Sequence, residues 1–325
     1  MRLTVLDPGP QTTLQDKGRT GLRHLGVPVS GPADAEHFAL IAALAETETA
    51  YEFRLMGPKL RVEDGPIAFA ASVGVTVIQG ESRMTVPPFH LAHVQPGAIL
   101  QCAPLDRACG YLALSGTPET PAILGAYATT MRAGFGRALA AGDEITLTGP
   151  LPEPRHLRAP TPPSGPLRVI LGPQDDAFPE TARDTFLGSD YRVTQQADRM
   201  GARLEGPEIT HKTGPDIISD GIMPGAIQVP ATGQPIILGV DAQTIGGYTK
   251  IATVITADLP RFGQLRPGET VRFEAVTRAD AIAALKQRRK ALADAIAAMK
   301  PGAADATLNM ARLYDSNLIS GVISE

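Results

Sequence analysis

Short apolar runs separated by glycine, proline and aspartate turns make up most of the chain. Ile67–Ala71, Val75–Gln79, Ile99–Cys102, Tyr111–Leu114 and Ile145–Leu147 have the length and composition of strands. In the second half Ile236–Val240, Val254–Ala257 and Val271–Glu274 read the same way. Pro96-Gly97, Gly142-Asp143 and Pro267-Gly268 stand just before strand runs, as chain-reversing turns do. Helical spacing is confined to three places. Phe38, Leu40, Ile41 and Leu44 behind Pro32 predict a helix over about 32–46. A second falls near Pro179–Leu187, and a third over Asp280–Lys300 carries Ile282, Leu285, Leu292 and Ile296 on one side, with Pro301-Gly302 as its stop. This is the pattern of a mainly β protein with few helices.

The pattern also repeats. Arg54-Leu55-Met56-Gly57-Pro58-Lys59-Leu60 is followed after four residues by Gly65-Pro66, and Arg203-Leu204-Glu205-Gly206-Pro207-Glu208-Ile209 after four residues by Gly214-Pro215. Leu3–Leu6 and Leu167–Leu171 are matched apolar openings of the two halves. A duplicated β unit explains both pairs economically. Seven prolines crowd residues 149–166 and forbid a helix there. The expected organisation is therefore an N-terminal β lobe over 1–150, a Pro-rich linker over 151–166, a C-terminal β lobe over 167–276 and a helical tail over 277–325. In that tail Leu308, Met310, Leu313, Leu318 and Ile319 are suited to a docking helix.

Charge narrows the partners. With 30 basic and 34 acidic residues the net charge is −4, which argues against a nucleic-acid or anionic-membrane surface. No apolar stretch reaches the length of a signal peptide or a membrane span, so a cytoplasmic location is expected. Cys102 and Cys109 read as packing groups, and His90-Leu91-Ala92-His93 lacks a third ligand at recognisable spacing, so no metal is expected. There is no GxxxxGK[ST] loop, no GxGxxG and no GxSxG; ATP, if used, is not held by a phosphate loop here. Ala298-Met299-Lys300 closes a helix, whereas a biotinyl lysine sits on a hairpin of its own small domain, so no covalent biotin is expected on this chain.

Candidate chemistry concentrates between Gln228 and Lys250. Gln228, Gln234, Gln243, Thr244, Gly246, Gly247 and Tyr248 gather neutral hydrogen-bonding groups around flexible glycines, as a site for a small polar substrate requires. Lys250 is suited to stabilise negative charge developing on a carbonyl or carboxyl oxygen, and Asp241 to act as base or orienter. The competing reading has the same residues satisfying backbone groups along a β connection. Earlier in the chain, Arg19 in the polar loop Thr12–Gly21 is either a carboxylate or phosphate clamp or the partner of Asp16 or Asp34. Arg132-Ala133-Gly134-Phe135-Gly136-Arg137 is either an anion-holding turn or a turn with Phe135 in the core.

Taken together these blocks resemble one family. Val5-Leu6-Asp7-Pro8-Gly9, Thr12–Arg19 with Gln15, Gly26-Val27-Pro28-Val29-Ser30-Gly31-Pro32-Ala33-Asp34, Asp198-Arg199-Met200-Gly201, Gly225–Pro230, Gln243–Tyr248 and Ala257-Asp258-Leu259-Pro260 carry the resemblance. The family is that of biotin-dependent-carboxyltransferase-like proteins. It includes the C subunit of bacterial 5-oxoprolinase, the sporulation protein KipA, allophanate hydrolase subunit 2 and a region of urea carboxylase. The resemblance implies two cyclophilin-like β-barrel lobes. It implies two partners, the KipI-like B subunit plus the A subunit of 5-oxoprolinase. It also implies ATP-coupled opening of the lactam 5-oxoproline to L-glutamate, with no activity for this chain alone. Under it Lys250, Asp241 and Tyr248 are the catalytic candidates, and Arg132 or Arg19 would hold the substrate carboxylate. Gln15, Gln228, Gln234, Gln243, Thr244, Gly246 and Gly247 would line the substrate site. Two further family activities are carboxyl transfer to a urea-like amide, with a biotinyl carrier on another chain, and a non-catalytic role binding a kinase inhibitor. The chain departs from the family at a short glycine stretch after Arg132, at Gln196-Ala197-Asp198 in place of Asp-Ser-Asn, and at Tyr51-Glu52-Phe53.

Overall fold

A computed structural model describes residues 1–302; the apolar positions Leu308 to Ile319 assigned to a docking helix lie outside the described residues. The protein is mainly β. In the first half a seven-stranded antiparallel sheet runs through Thr117–Pro118, Glu144–Thr148, Arg2–Asp7, Lys59–Asp64, Ile99–Cys102, Val75–Gln79 and Ser82–Val86. Packed on it is a five-stranded sheet of Gln11–Gln15, Ala50–Arg54, Gly110–Leu114, Ile67–Ala71 and Leu91–Val94. In the second half eight strands form one sheet, from Thr270–Val271 at one edge to Phe273–Ala275 at the other. Because Arg272 alone separates the two edge strands, that sheet curls into a nearly closed barrel.

Alternation sorts the side chains between layers. In Ile67–Ala71, Ile67, Phe69 and Ala71 enter the core between the sheets. Ala68 and Ala70 face the opposite side, where they admit the helix Ala35–Ala45 with Phe38, Ile41 and Leu44. Small residues on one face and large ones on the other explain why the run is buried throughout. Tyr111 and Ala113 repeat this division against Leu112 and Leu114. Cys109 and Cys102 are free and buried, and burial pushes the Cys102 thiol up to about 12.

Several element ends differ from the sequence expectation, each for a local reason. The first helix begins at Ala35 because Asp34 caps it, its carboxylate accepting from the amides of Glu36 (3.0 Å) and His37 (3.1 Å). The strand expected at Val254–Ala257 ends at Val254, and Thr256–Asp258 turns into the short helix Leu259–Gly263. Asp258 is fully buried and accepts from the amide (2.9 Å) and guanidinium (3.0 and 2.6 Å) of Arg168, which draws the chain off the sheet. The strand expected to reach Val240 stops at Leu238, where the Gly239 amide donates to Met200. The last helix runs Arg278–Ala297 from a Thr277/Asp280 capping box; Leu292 and Ile296 pack inward, while Ile282 is exposed. Lys300, expected as the helix end, and Pro301, expected with Gly302 as its stop, instead pair as a strand with Arg155–His156 of the proline-rich segment. That segment is docked: Arg155 donates to the carbonyls of Ala43 and Leu44, His93 bonds Pro152, and His90 stacks on His156.

A buried ionic seam joins the halves. Arg199, from the turn before Gly201–Glu205, reaches Glu52 (2.6 Å) of the first half and grips Asp241 with two bonds (2.8 and 2.9 Å). Its remaining reach goes to the Gly31 carbonyl at 2.7 Å. Glu52 in turn accepts from Tyr111 (2.7 Å) and from the Ala33 amide (2.8 Å). Gln264 bonds Asp34 across the same seam at 2.8 Å. The backbones touch at Gly263, where any Cβ would lie 2.1 Å from the Ala33 carbonyl oxygen. Burial works to raise the Asp34 carboxyl, yet its bonds to His37 and Gln264 hold it below the usual carboxylate range.

Candidate functional site

Apart from the seam, residues of both halves border a cleft of about 490 Å³. The first half contributes Arg132; the second contributes the hairpin of Tyr191–Asp198 and Gly201–Glu205 together with Gln228, Gln243 and Tyr248. Four residues singled out in the sequence therefore meet here: Arg132, Gln228, Gln243 and Tyr248.

Gln228 ends the strand Ala226–Gln228, 3% exposed, and its Nε2 has no hydrogen-bond partner among the described residues. A buried amide without a partner costs roughly 1–3 kcal/mol, so a ligand atom is the natural complement. Its carboxamide fits only because residue 246 is glycine. A Cβ there would stand 2.3 Å from Ile222 Cδ1 and 2.8 Å from Gln228 Nε2. Gly246→Ala is accordingly expected to displace Gln228 and lower activity at least tenfold, with a folded circular-dichroism spectrum, since typical overpacking costs about 1–3 kcal/mol.

Arg132 sits on the single 3-10 turn Met131–Ala133, exposed, with no ion-pair partner among the described residues. The turn is held from behind by the N-terminal loop. Gln15 donates to Thr129 O at 3.2 Å, Asp16 accepts from the amides of Tyr127 (2.7 Å) and Ala128 (3.2 Å), and Ser30 bonds Thr130. Arg19 donates to the carbonyls of Ile123 (2.9 Å), Ala128 (2.5 Å) and Ala126 (3.2 Å) and stacks over Phe135 at 4.9 Å. Gln15 and Arg19 thus organise the Arg132 loop and do not line the cleft. Arg19 pairs with neither Asp16 nor Asp34; burial lowers its pKa.

The remaining sequence candidates lie elsewhere. Asp241 is committed to Arg199 and is not free to act as a base in the cleft. Gln234 braces the second Leu-x-Gly-Pro turn, accepting from the Gly206 amide (2.9 Å) and donating to its carbonyl (3.1 Å). Thr244 is buried, and its carbonyl accepts from the Ile222 amide. Gly246 and Gly247 belong to an outlying ribbon of Asp216–Gly221 paired with Ile245–Tyr248. Lys250 is 2% exposed and does not line the cleft; its ammonium donates to Asp220 of that ribbon at 3.1 Å, beside Gln174 at 3.3 Å from the same oxygen. The Lys250–Asp220 bond holds Asp220 below the usual carboxylate range.

Arg203, which the sequence presents only as part of the repeated string, also lines the cleft. Alternation in Gly201–Glu205, with Ala202 and Leu204 inward, is the signal that turns it outward. The Asp198 carboxylate is occupied by the amides of Met200 (2.7 Å) and Gly201 (3.3 Å). Two guanidiniums and a free carboxamide suit a small ligand bearing a carboxylate and an amide carbonyl.

The fold is that of a carboxyltransferase-type domain. The family described as carboxyltransferase domain, subdomain A and B, matches residues 25–275, and the chain belongs to it. Within that family it is 32% identical over 297 residues to the C subunit of 5-oxoprolinase from Haemophilus influenzae, covering 89% of this chain and 94% of that one. The protein of the same name in Escherichia coli is 28% identical over 305 residues, covering 89% and 96%. Among solved structures, Kluyveromyces lactis urea carboxylase superposes with a TM-score of 0.83 at 27% identity, over 93% of this chain and 29% of that chain. Among the described residues no helix is long and apolar enough to cross a membrane.

Proposed function

We propose that the chain is the C subunit of an ATP-dependent 5-oxoprolinase, working beside two partners, the KipI-like B subunit plus the A subunit. The carrying observation is the unpartnered Gln228 amide facing a cleft that also holds Arg132. In this reading Arg132 takes the substrate carboxylate in a bidentate grip, while Gln228 donates to the lactam carbonyl. Gln243 and Tyr248 border the ring, and Arg203 offsets charge gathering on the carbonyl oxygen. ATP, bound on a partner, would supply the phosphoryl group for the lactam oxygen. Water adds to the activated carbon, and the ring C–N bond breaks with the nitrogen leaving as the protonated amine. A second water releases phosphate from the resulting acyl phosphate to give glutamate. Lys250 serves at one remove, holding Asp220 and thereby the ribbon that carries Tyr248.

Near end-to-end similarity to two proteins of that name supports the reading. The chain spans less than a third of the urea carboxylase it superposes on, and carboxyl transfer to urea is the second reading. 5-Oxoproline itself brings a carboxylate for Arg132 to hold, whereas in carboxyl transfer to urea only the carboxyl group in transit does, which favours the lactam. The test is co-purification with the products of neighbouring genes and an assay of ATP-dependent glutamate formation from 5-oxoproline, omitting each component in turn. Glutamate formation that requires this chain is expected; a stable complex with no such activity overturns the assignment.

A further inference from the structure

The cleft leaves one buried charge of the first half unexplained. Arg19 is 3% exposed and borders a separate cavity of about 280 Å³ between the 118–139 segment and the strand Glu144–Thr148. A guanidinium has five N–H donors, and three of Arg19's meet backbone carbonyls, leaving two. None of its partners is charged. Asp16 and Asp241 act on it only through space, because Asp16 is bound by backbone amides and Asp241 by Arg199. Buried charges are ordinarily paired, since an uncompensated one is costly.

The same cavity is bordered by two hydroxyl-bearing residues in need of partners. Tyr51 is 6% exposed and Thr129 4% exposed, and neither side-chain hydroxyl forms a hydrogen bond among the described residues. The acidic residues at its rim are already neutralised: Asp143 by Arg137 at 2.6 and 2.8 Å, Glu144 by Arg2 at 3.2 Å. Asp16 supplies the nearby counter-charge through space, so what the cavity leaves open is donor capacity: the two remaining N–H groups of Arg19.

We infer that this cavity is a second ligand site, separate from the cleft, that takes a small carboxylate anion through Arg19, Tyr51 and Thr129. The anion would take up the donor capacity that Arg19 leaves open, with the two hydroxyls donating to its oxygens. Its occupation would also tie together the loop that carries Arg132, because Arg19 holds Ile123, Ala126 and Ala128 of that loop. The inference does not depend on the identity of the substrate in the cleft.

The chain has six tyrosines and no tryptophan, and Tyr51 and Tyr127 both border the cavity, so tyrosine fluorescence reports on it. The folded full-length chain is titrated with sodium acetate, with acetamide as neutral isostere and sodium chloride at matched ionic strength. A saturable change with acetate alone is expected, weakened roughly tenfold or more in Thr129→Val, given the usual worth of a hydrogen bond to a charged group. Tyr51→Phe, read by calorimetry, is expected to weaken acetate comparably should Thr129→Val fail to fold. Arg132→Ala should leave acetate binding unchanged. A flat acetate titration, equal responses to acetate and acetamide, or a response abolished by Arg132→Ala but kept in Thr129→Val would each overturn the site.

Discussion

Arg199→Met is expected to cost roughly 3–5 kcal/mol of stability, read as a lowered midpoint of chemical unfolding, because it strands buried carboxylates without their cation. Glu52 and Asp241 lie at opposite ends of one guanidinium, their side chains 2% and 11% exposed. Removing the arginine leaves two like charges confined within the seam. Replacing all three together, as Glu52→Gln, Arg199→Met and Asp241→Asn, is expected to recover most of the loss, since no charge of this triad is then left buried without its partner. A loss below about 1 kcal/mol, the scale of an exposed pair, would place the seam's strength in the apolar contacts around Phe262 and Gly263 instead. The seam fixes the first half, which carries Arg132, against the second, which carries Gln228 and Tyr248, and so bears on the proposed function.

This same arginine shows how far the sequence could be read. Period-2 runs and the repeated Arg-Leu-x-Gly-Pro strings are local signals, and they reported the strands and the mainly β architecture. Element ends set by tertiary bonds were not local: Asp258 takes its partner from Arg168, ninety residues earlier in the chain. The candidate site divides along the same line. A polar, glycine-bearing segment shows where hydrogen-bonding groups are dense, and Gln228, Gln243 and Tyr248 do border the cleft. It does not show which groups commit their capacity to the protein itself, as Asp241 does to Arg199, Gln234 to Gly206 and Lys250 to Asp220. Arg19 is the sharpest case. Its carboxylate-clamp chemistry is legible from residue type, but its commitment to three carbonyls of a loop over a hundred residues away is visible only in three dimensions.

In the proposed 5-oxoprolinase complex Arg132→Ala is expected to lower kcat/KM for 5-oxoproline by roughly 10–100-fold, the worth of a charge-assisted bond of about 1.5–3 kcal/mol. The thermal midpoint should not move, because Arg132 is exposed and bonded to nothing among the described residues. Arg132→Lys keeps the charge but not the planar fork, so it should recover only part of the loss. Gln228→Met separates binding from folding in the opposite sense. It removes an amide that has no partner and fills the same buried volume, so stability should hold or rise while turnover falls. A stabilised, inactive Gln228→Met beside an unshifted, inactive Arg132→Ala would mark both as ligand contacts. Full activity in both variants would move the substrate out of this cleft, because Arg132 and Gln228 are the exposed guanidinium of the first half and the buried, unpartnered carboxamide of the second that meet there.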